Sequence, residues 1–100
     1  MTRNNSIVQS DMSKCYICGT TQNLHTHEIF FGSADRKKSI KYGLYVRLCG
    51  YHHNQSNDGV HFNKKLNYEL KRQGQEAFEK IYGHDEFMRT FRKNYLEVKK

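Results

Sequence analysis

Three cysteines and six histidines hold most of the chemistry available to this chain. Cys15 and Cys18 are separated by two residues in CYICG, and Cys49 and His52 by two in LCGYHHN. The pattern is C-x2-C followed by C-x2-H, and it uses every cysteine. Ligands spaced in this way on a tight turn converge on one ion, and two such turns complete a tetrahedron. Zinc takes thiolates and imidazoles like this in closed structural sites. A Cys15–Cys18 disulfide with Cys49 free, or three unrelated buried thiols, are the competing readings. His53 in place of His52 is another way to close the tetrahedron. Inside the bracket lies a second set, His25-Thr26-His27-Glu28, with His53 at its far edge and His61 beyond. This is more imidazole and carboxylate than one structural ion can use, so function is expected in the surplus.

At 100 residues the chain is expected to fold as one domain. A domain this small buries a modest core and often needs a metal or disulfide staple. Only 36% of its residues are hydrophobic, which strengthens the case for a metal. No apolar run reaches membrane-spanning length, and residues 1–12 lack the apolar centre of a secretion signal. Cysteines at metal spacing without such a signal point to a reducing cytoplasm and no membrane. The formal charge of +7 suits a polyanionic partner, DNA above all. Between Arg36 and Arg47 there are five basic residues and no acidic one.

These residues need elements to position them. Residues 1–12 are polar and aperiodic, and are expected to be a flexible tail before a single domain over 13–100. Asn23 to Phe31 is a strand candidate, with Leu24, Ile29, Phe30 and Phe31 for the core. Alternation would set His25 and His27 on one face, Thr26 and Glu28 on the other. Gly32 ends that strand, Ser33 is placed to cap a short basic helix through about Lys41, and Gly43 stops it. Leu44 to Leu48 reads as a second strand, and Cys49 to about Gln55 as a helical turn. SNDG at 56–59 is a turn signal. From Val60 onward Phe62, Leu66, Leu70, Ala77, Phe78 and Ile81 fall near a helical period, with a kink or break expected at Gly74. A last helix from about Asp85 would pack Phe87, Met88, Phe91 and Tyr95. The division is a metal-bracketed part over about 13–62 and a helical part over about 61–97.

The order zinc turn, histidine-rich strand, basic connection, strand, zinc turn, helix resembles the HNH endonucleases of the ββα-metal (His-Me finger) group. The likeness rests on the Cys15, Cys18, Cys49, His52 bracket, on LHTHEIFFG at 24–32 and on LCGYHHN at 48–54. It covers about the first sixty residues, and the remainder looks like small phage-encoded members. The resemblance implies an α+β, zinc-stapled ββα-metal fold with C-terminal helices. It implies a metal-dependent DNA endonuclease in which a base-activated water and one divalent ion hydrolyse a phosphodiester. By position, Cys15, Cys18, Cys49 and His52 hold structural Zn²⁺, while His27 and His53 hold the catalytic ion, which would be Mn²⁺, Ni²⁺, Mg²⁺ or Zn²⁺. Mixed imidazole and carboxylate ligands favour a transition metal over Mg²⁺ alone.

Two departures from the family pattern matter. Glu28 stands where a general-base histidine is expected, and the middle Asn expected near Leu44 is missing. Either Glu28 acts as base, or His25 or His61 does, or the register slips and His27 takes that role; imidazole titrates near working pH, whereas a glutamate must be shifted upward. Plainer roles stand beside these. His25 suits an exposed strand position, His27 with Glu28 a surface ion pair, and His61 a helix cap as well as a metal ligand. His84 follows Gly83 at a helix boundary and reads as structural. Arg36, Lys37, Lys38, Lys41 and Arg47 form either a solvated face or a DNA-backbone contact. Two functional classes therefore compete with the nuclease: a non-catalytic zinc-stapled nucleic-acid-binding module, and a protein that acts on another protein and leaves the histidines unexplained. A second metal site separates the nuclease from the binding module.

Overall fold

LHTHE, mostly polar, and YVRLC, mostly apolar, form two short strands that pair antiparallel, β1 (Leu24–Glu28) and β2 (Tyr45–Cys49). Around them a computed structural model, which describes residues 6–96, places four helices. They are α1 (Ser33–Tyr42), α2 (Gly50–His53), α3 (Lys64–Tyr82) and α4 (His84–Phe91). The protein is thus a small α+β molecule with one two-stranded sheet. The register pairs Leu24 with Cys49, Thr26 with Arg47 and Glu28 with Tyr45, so the end of β2 meets the start of β1.

β1 is shorter than the strand expected over 23–31. Past Glu28 the buried Ser39 hydroxyl takes over from a strand partner, accepting from Phe30 N (3.0 Å) and donating to Phe30 O (2.7 Å). This closes both backbone groups of Phe30 against α1 and turns its ring into the core. Gly32, at φ 99°, occupies the N-cap position expected for Ser33, which is instead the first residue of α1. Gly43 ends α1 in the left-handed conformation as expected, its N–H donating to Ser39 O. β2 begins one residue later than expected and includes Cys49, which leaves α2 only four residues.

α3 starts at Lys64 rather than Val60, capped by Asn63 Oδ1, which accepts from Leu66 N at 3.0 Å. Phe62 therefore precedes the helix, escapes its period and is 62% exposed. Ile81 is also exposed, on the rim of a groove of about 550 Å³ lined in part by Ile7, Val8, Tyr16 and Ala77. The helix runs unbroken through Gly74. A Cβ there would lie 3.1 Å from Phe30 Cε2 and 3.3 Å from Ile29 Cγ2, so the glycine admits close helix–sheet approach and makes no kink. Leu70 and Phe78 bury their side chains on the same face, and Phe87 and Phe91 of α4 complete an aromatic core with Phe30. Buried Gln75 ties the chain after α4 to α3 by donating to Asn94 Oδ1 (2.8 Å) and accepting from Tyr95 N (2.7 Å).

Of the tail expected over 1–12, residues 1–5 lie outside the described ones. Residues 6–12 lie against β2. Ile7 N donates to Gly43 O, Ser6 Oγ to Tyr45 O, and the buried Gln9 side chain accepts from Arg47 N at 2.7 Å while donating to Lys14 O at 2.8 Å. Among the described residues no helix is long and apolar enough to cross a membrane.

Candidate metal centres

The first cysteine turn is a closed backbone knuckle. Gly19 N donates to Cys15 O and Cys15 N to Thr20 O, with Gly19 at φ 81°. Tyr16 N donates to Arg47 O, which fastens the knuckle to β2. The second pair comes from the β2–α2 junction, where Cys49 is extended and His52 lies on the one turn of α2. Cys15, Cys18, Cys49 and His52 thereby form a group able to hold a metal ion, their ligand atoms all within 4.8 Å of one another. Two thiolates on one tetrahedral zinc, with Zn–S near 2.3 Å, should stand about 3.8 Å apart, and a thiolate and an imidazole nitrogen about 3.5 Å. Cys18 Sγ and Cys49 Sγ are 3.8 Å apart, and His52 Nδ1 lies 3.3 Å from Cys49 Sγ and 3.9 Å from Cys15 Sγ. The spacing suits zinc. Burial opposes ionisation of Cys15, but backbone N–H groups of Cys18, Cys49 and Ile17 outweigh it and hold the thiol at about 6, as the thiolate a metal requires.

The second centre lies on the other side of α2. Strand alternation sets His25 and His27 on the face toward α2, and His53 follows His52 on that helix. His61 arrives by a strap: Val60 N donates to His52 O and His61 N to His53 O. Gly59 permits this close pass, since a Cβ there would fall 2.7 Å from His53 O. His27, His53 and His61 form a second group able to hold a metal ion, again with ligand atoms within 4.8 Å. His53 Nε2 is 3.1 Å from His61 Nε2, and the His27 ring centroid lies 5.3 Å from that of His53 and 5.2 Å from that of His61. His27 is 3% exposed, and its Nε2 is buried without a hydrogen-bond partner. Burial, then the neighbouring His53 and His61, push His27 down to about 3. Burial and the flanking His61 and His25 push His53 down to about 4. Both rings are neutral at working pH, the form that ligates metal.

No family model, curated protein or solved structure matches this chain.

The two clusters divide the adjacent histidines: His52 groups with the cysteines and His53 with the imidazoles. His61 stands with His27 and His53, while Asn63 caps the helix. His25 is no isolated surface residue, since its Nδ1 lies 2.9 Å from His53 Nδ1. Glu28 is outside the ligand group and lies 3.8 Å from Arg36 Nε. His84 lies 2.6 Å from Glu79 Oε2, a structural contact.

The basic strip does not present five equivalent cations. Arg47 is half-buried and directed inward, its Nε donating to Met12 O and its Nη1 to Thr26 Oγ1. Lys38 donates to Thr90 O at 2.7 Å and lies near Asp35. Lys41 lies over the Tyr42 ring, and Arg36 stands by Glu28. Lys37 is exposed.

Sequence reasoning missed two residues at the imidazole centre. Phe31, expected in the core, walls the cluster, with ring contacts to His27 and His61. Lys71 of α3 sets its ammonium 4.6 Å from the Phe31 ring and is close enough to His27 to depress it further. A lysine at a helical surface period carries no signal for this, because the approach depends on how α3 packs across the sheet.

Proposed function

We propose that this chain is a small metal-dependent DNA endonuclease of HNH type, with a ββα-metal core stapled by structural zinc. The observation that carries this reading is His27, a buried imidazole whose Nε2 meets no protein partner yet stands in ligand range of His53 and His61. A buried polar atom without a partner costs free energy, so such an atom among two further imidazoles suits a metal ligand. The sequence of β1, β2 and α2 around the cluster supports the likeness to the ββα-metal group.

All-nitrogen donors suit Ni²⁺, Zn²⁺ or Mn²⁺ better than Mg²⁺. A divalent ion there would offset charge on the phosphate and ease departure of the leaving oxygen. The chain's own groups do the rest. Neutral imidazoles would leave the charge of a bound ion uncancelled, and Lys71 adds a cation at the Phe31 wall. Glu28, next to His27 on β1 at the family's base position, would take the proton of the attacking water, in competition with its contact to Arg36 at 3.8 Å.

The test is nicking of supercoiled plasmid with each divalent ion and with EDTA as control. The parent should cut only with an ion present. His27→Ala and His53→Ala should stay folded, keep the metal at the cysteines and lose cleavage. Variants that cut like the parent would remove this site from the reaction. A parent that binds DNA, takes up no second ion and never cuts would leave a non-catalytic zinc-stapled binding module in its place.

A further inference from the structure

The imidazole centre has a fourth histidine that is not among its ligands. His25 Nδ1 lies 2.9 Å from His53 Nδ1, and its other nitrogen, Nε2, lies 3.3 Å from Asn23 Oδ1. Asn23 is oriented in turn, because its Nδ2 donates to Gln55 Oε1 at 3.2 Å. That leaves the Asn23 carbonyl oxygen to face His25. A Cβ on Gly50 would fall 2.2 Å from Gln55 Oε1 and 2.4 Å from Asn23 Nδ2, so a side chain there would displace the amide pair. Asn23 adopts φ 53°, a left-handed conformation that asparagine tolerates better than most residues.

The donor and acceptor roles follow along the chain of contacts. An amide oxygen only accepts, so His25 Nε2 must carry the proton. A neutral His25 then has a bare Nδ1, which must accept from His53 Nδ1–H. His53 is left with its lone pair on Nε2, the nitrogen that faces His61. We propose that His25 is a positioning residue which, anchored by Asn23 and Gln55, holds His53 in the tautomer that frees Nε2 for the ion. This rests on the metal-site reading above. It gives a function to a histidine which that reading leaves idle, and it makes Asn23, Gly50 and Gln55 part of the site. Outer contacts of this kind fix ring orientation and proton placement in metal-binding histidines, and their loss typically lowers metal affinity about 10–100-fold.

The experiment uses the full-length chain with the metal its cysteines retain. Two-bond ¹⁵N–¹H couplings report which nitrogen of His53 is protonated before any second ion is added, and calorimetry reports Ni²⁺ binding at the imidazole centre. In the parent the proton should be on Nδ1. His25→Ala should move it to Nε2, the form imidazole prefers in water, and weaken Ni²⁺ binding about 10-fold or more. His25→Gln, whose carbonyl oxygen can accept the same proton, should recover most of both. Asn23→Gly keeps the left-handed backbone and removes only the amide, and should shift both readouts less than His25→Ala. A parent His53 protonated on Nε2 overturns the proposal, as does a His25→Ala variant with unchanged tautomer and affinity. If the tautomer follows His25 but the parent binds no Ni²⁺, the relay stands and the nuclease reading falls.

Discussion

The two centres share α2 and differ in almost everything else. The cysteine centre draws on two local turns, offers three soft thiols, Cys18 exposed among them, and keeps only His52 as an imidazole. The histidine centre gathers one residue each from β1, α2 and the strap before α3, uses nitrogen alone and includes exposed His61. Four protein ligands complete a tetrahedron around zinc, whereas three leave a position for water or substrate. The contrast teaches that adjacent histidines on one turn of helix can join different clusters. Which cluster each joins is set by what the flanking chain brings to either side.

The sharpest way to break the contrast is to remove the thiolates. Cys15→Ser or Cys49→Ser should unfold the domain and take both centres with it. Structural zinc contributes about 10–16 kcal/mol in small peptides, as much as the whole stability of a typical domain. Circular dichroism and elemental analysis should show loss of cooperative unfolding and of about one zinc per chain. A metal-free protein that still unfolds cooperatively would deny the cysteine centre its structural role.

At the other centre the largest effect should be on rate. Glu28→Gln should slow cleavage about a hundred- to ten-thousand-fold without releasing the second ion if the carboxylate is the base. A variant that cuts at near-parental rate would assign Glu28 to its Arg36 contact and pass the base role to a histidine.

Acid should separate the centres more gently. His27 is held at about 3 against an ordinary value of 6.5. Below pH 6.5 the unfolded chain therefore binds more protons than the folded one, so stability falls as pH drops toward 3 and is fully present above 6.5. By pH 5 this one group should cost about 2 kcal/mol. The difference in denaturant stability between the parent and His27→Gln, followed from pH 7 to pH 5 without added second ion, isolates it. A difference that does not change with pH would contradict the burial of His27.

The smallest effect concerns the surface beside the histidines. Lys37→Ala should weaken DNA binding and lower the salt slope by about one unit, as expected for one phosphate contact. Arg47→Ala should act through the fold, by removing the side-chain bonds to Met12 O and Thr26 Oγ1, and not through the slope. An unchanged slope for Lys37→Ala would remove that residue from the interface.

What could be read in the sequence was what local spacing controls. C-x2-C and C-x2-H carry their geometry within a turn, so the cysteine centre was legible down to the choice of His52. Strand period two was enough to place His25 and His27 on one face. The imidazole centre was half legible. His27 and His53 were singled out and His61 was read as either a metal ligand or a helix cap, a choice that depended on the Gly59 pass beneath His53, while Lys71 depended on the packing of α3. Phe62 and Ile81 failed as core residues because periodicity marks a stripe without saying where the helix begins or how far its partner extends. The tail over 6–12 looked unstructured because its order comes from long-range bonds, the Gln9 side chain accepting from the Arg47 backbone N–H and the Arg47 side chain donating to Met12 O.

Gly74 has a mechanical consequence. One turn on either side of this gap in α3 stand Leu70 and Phe78, both buried. Sliding the helix by a turn, about 5.4 Å, would drive one of those side chains into the space where Phe30 and Ile29 press against the glycine. The notch therefore acts as a detent that fixes the helix along its own axis. Lys71 rides next to Leu70, so the same detent sets how far its ammonium reaches over Phe31 toward the histidines. A residue with no side chain thus sets the working distance of one with a long side chain.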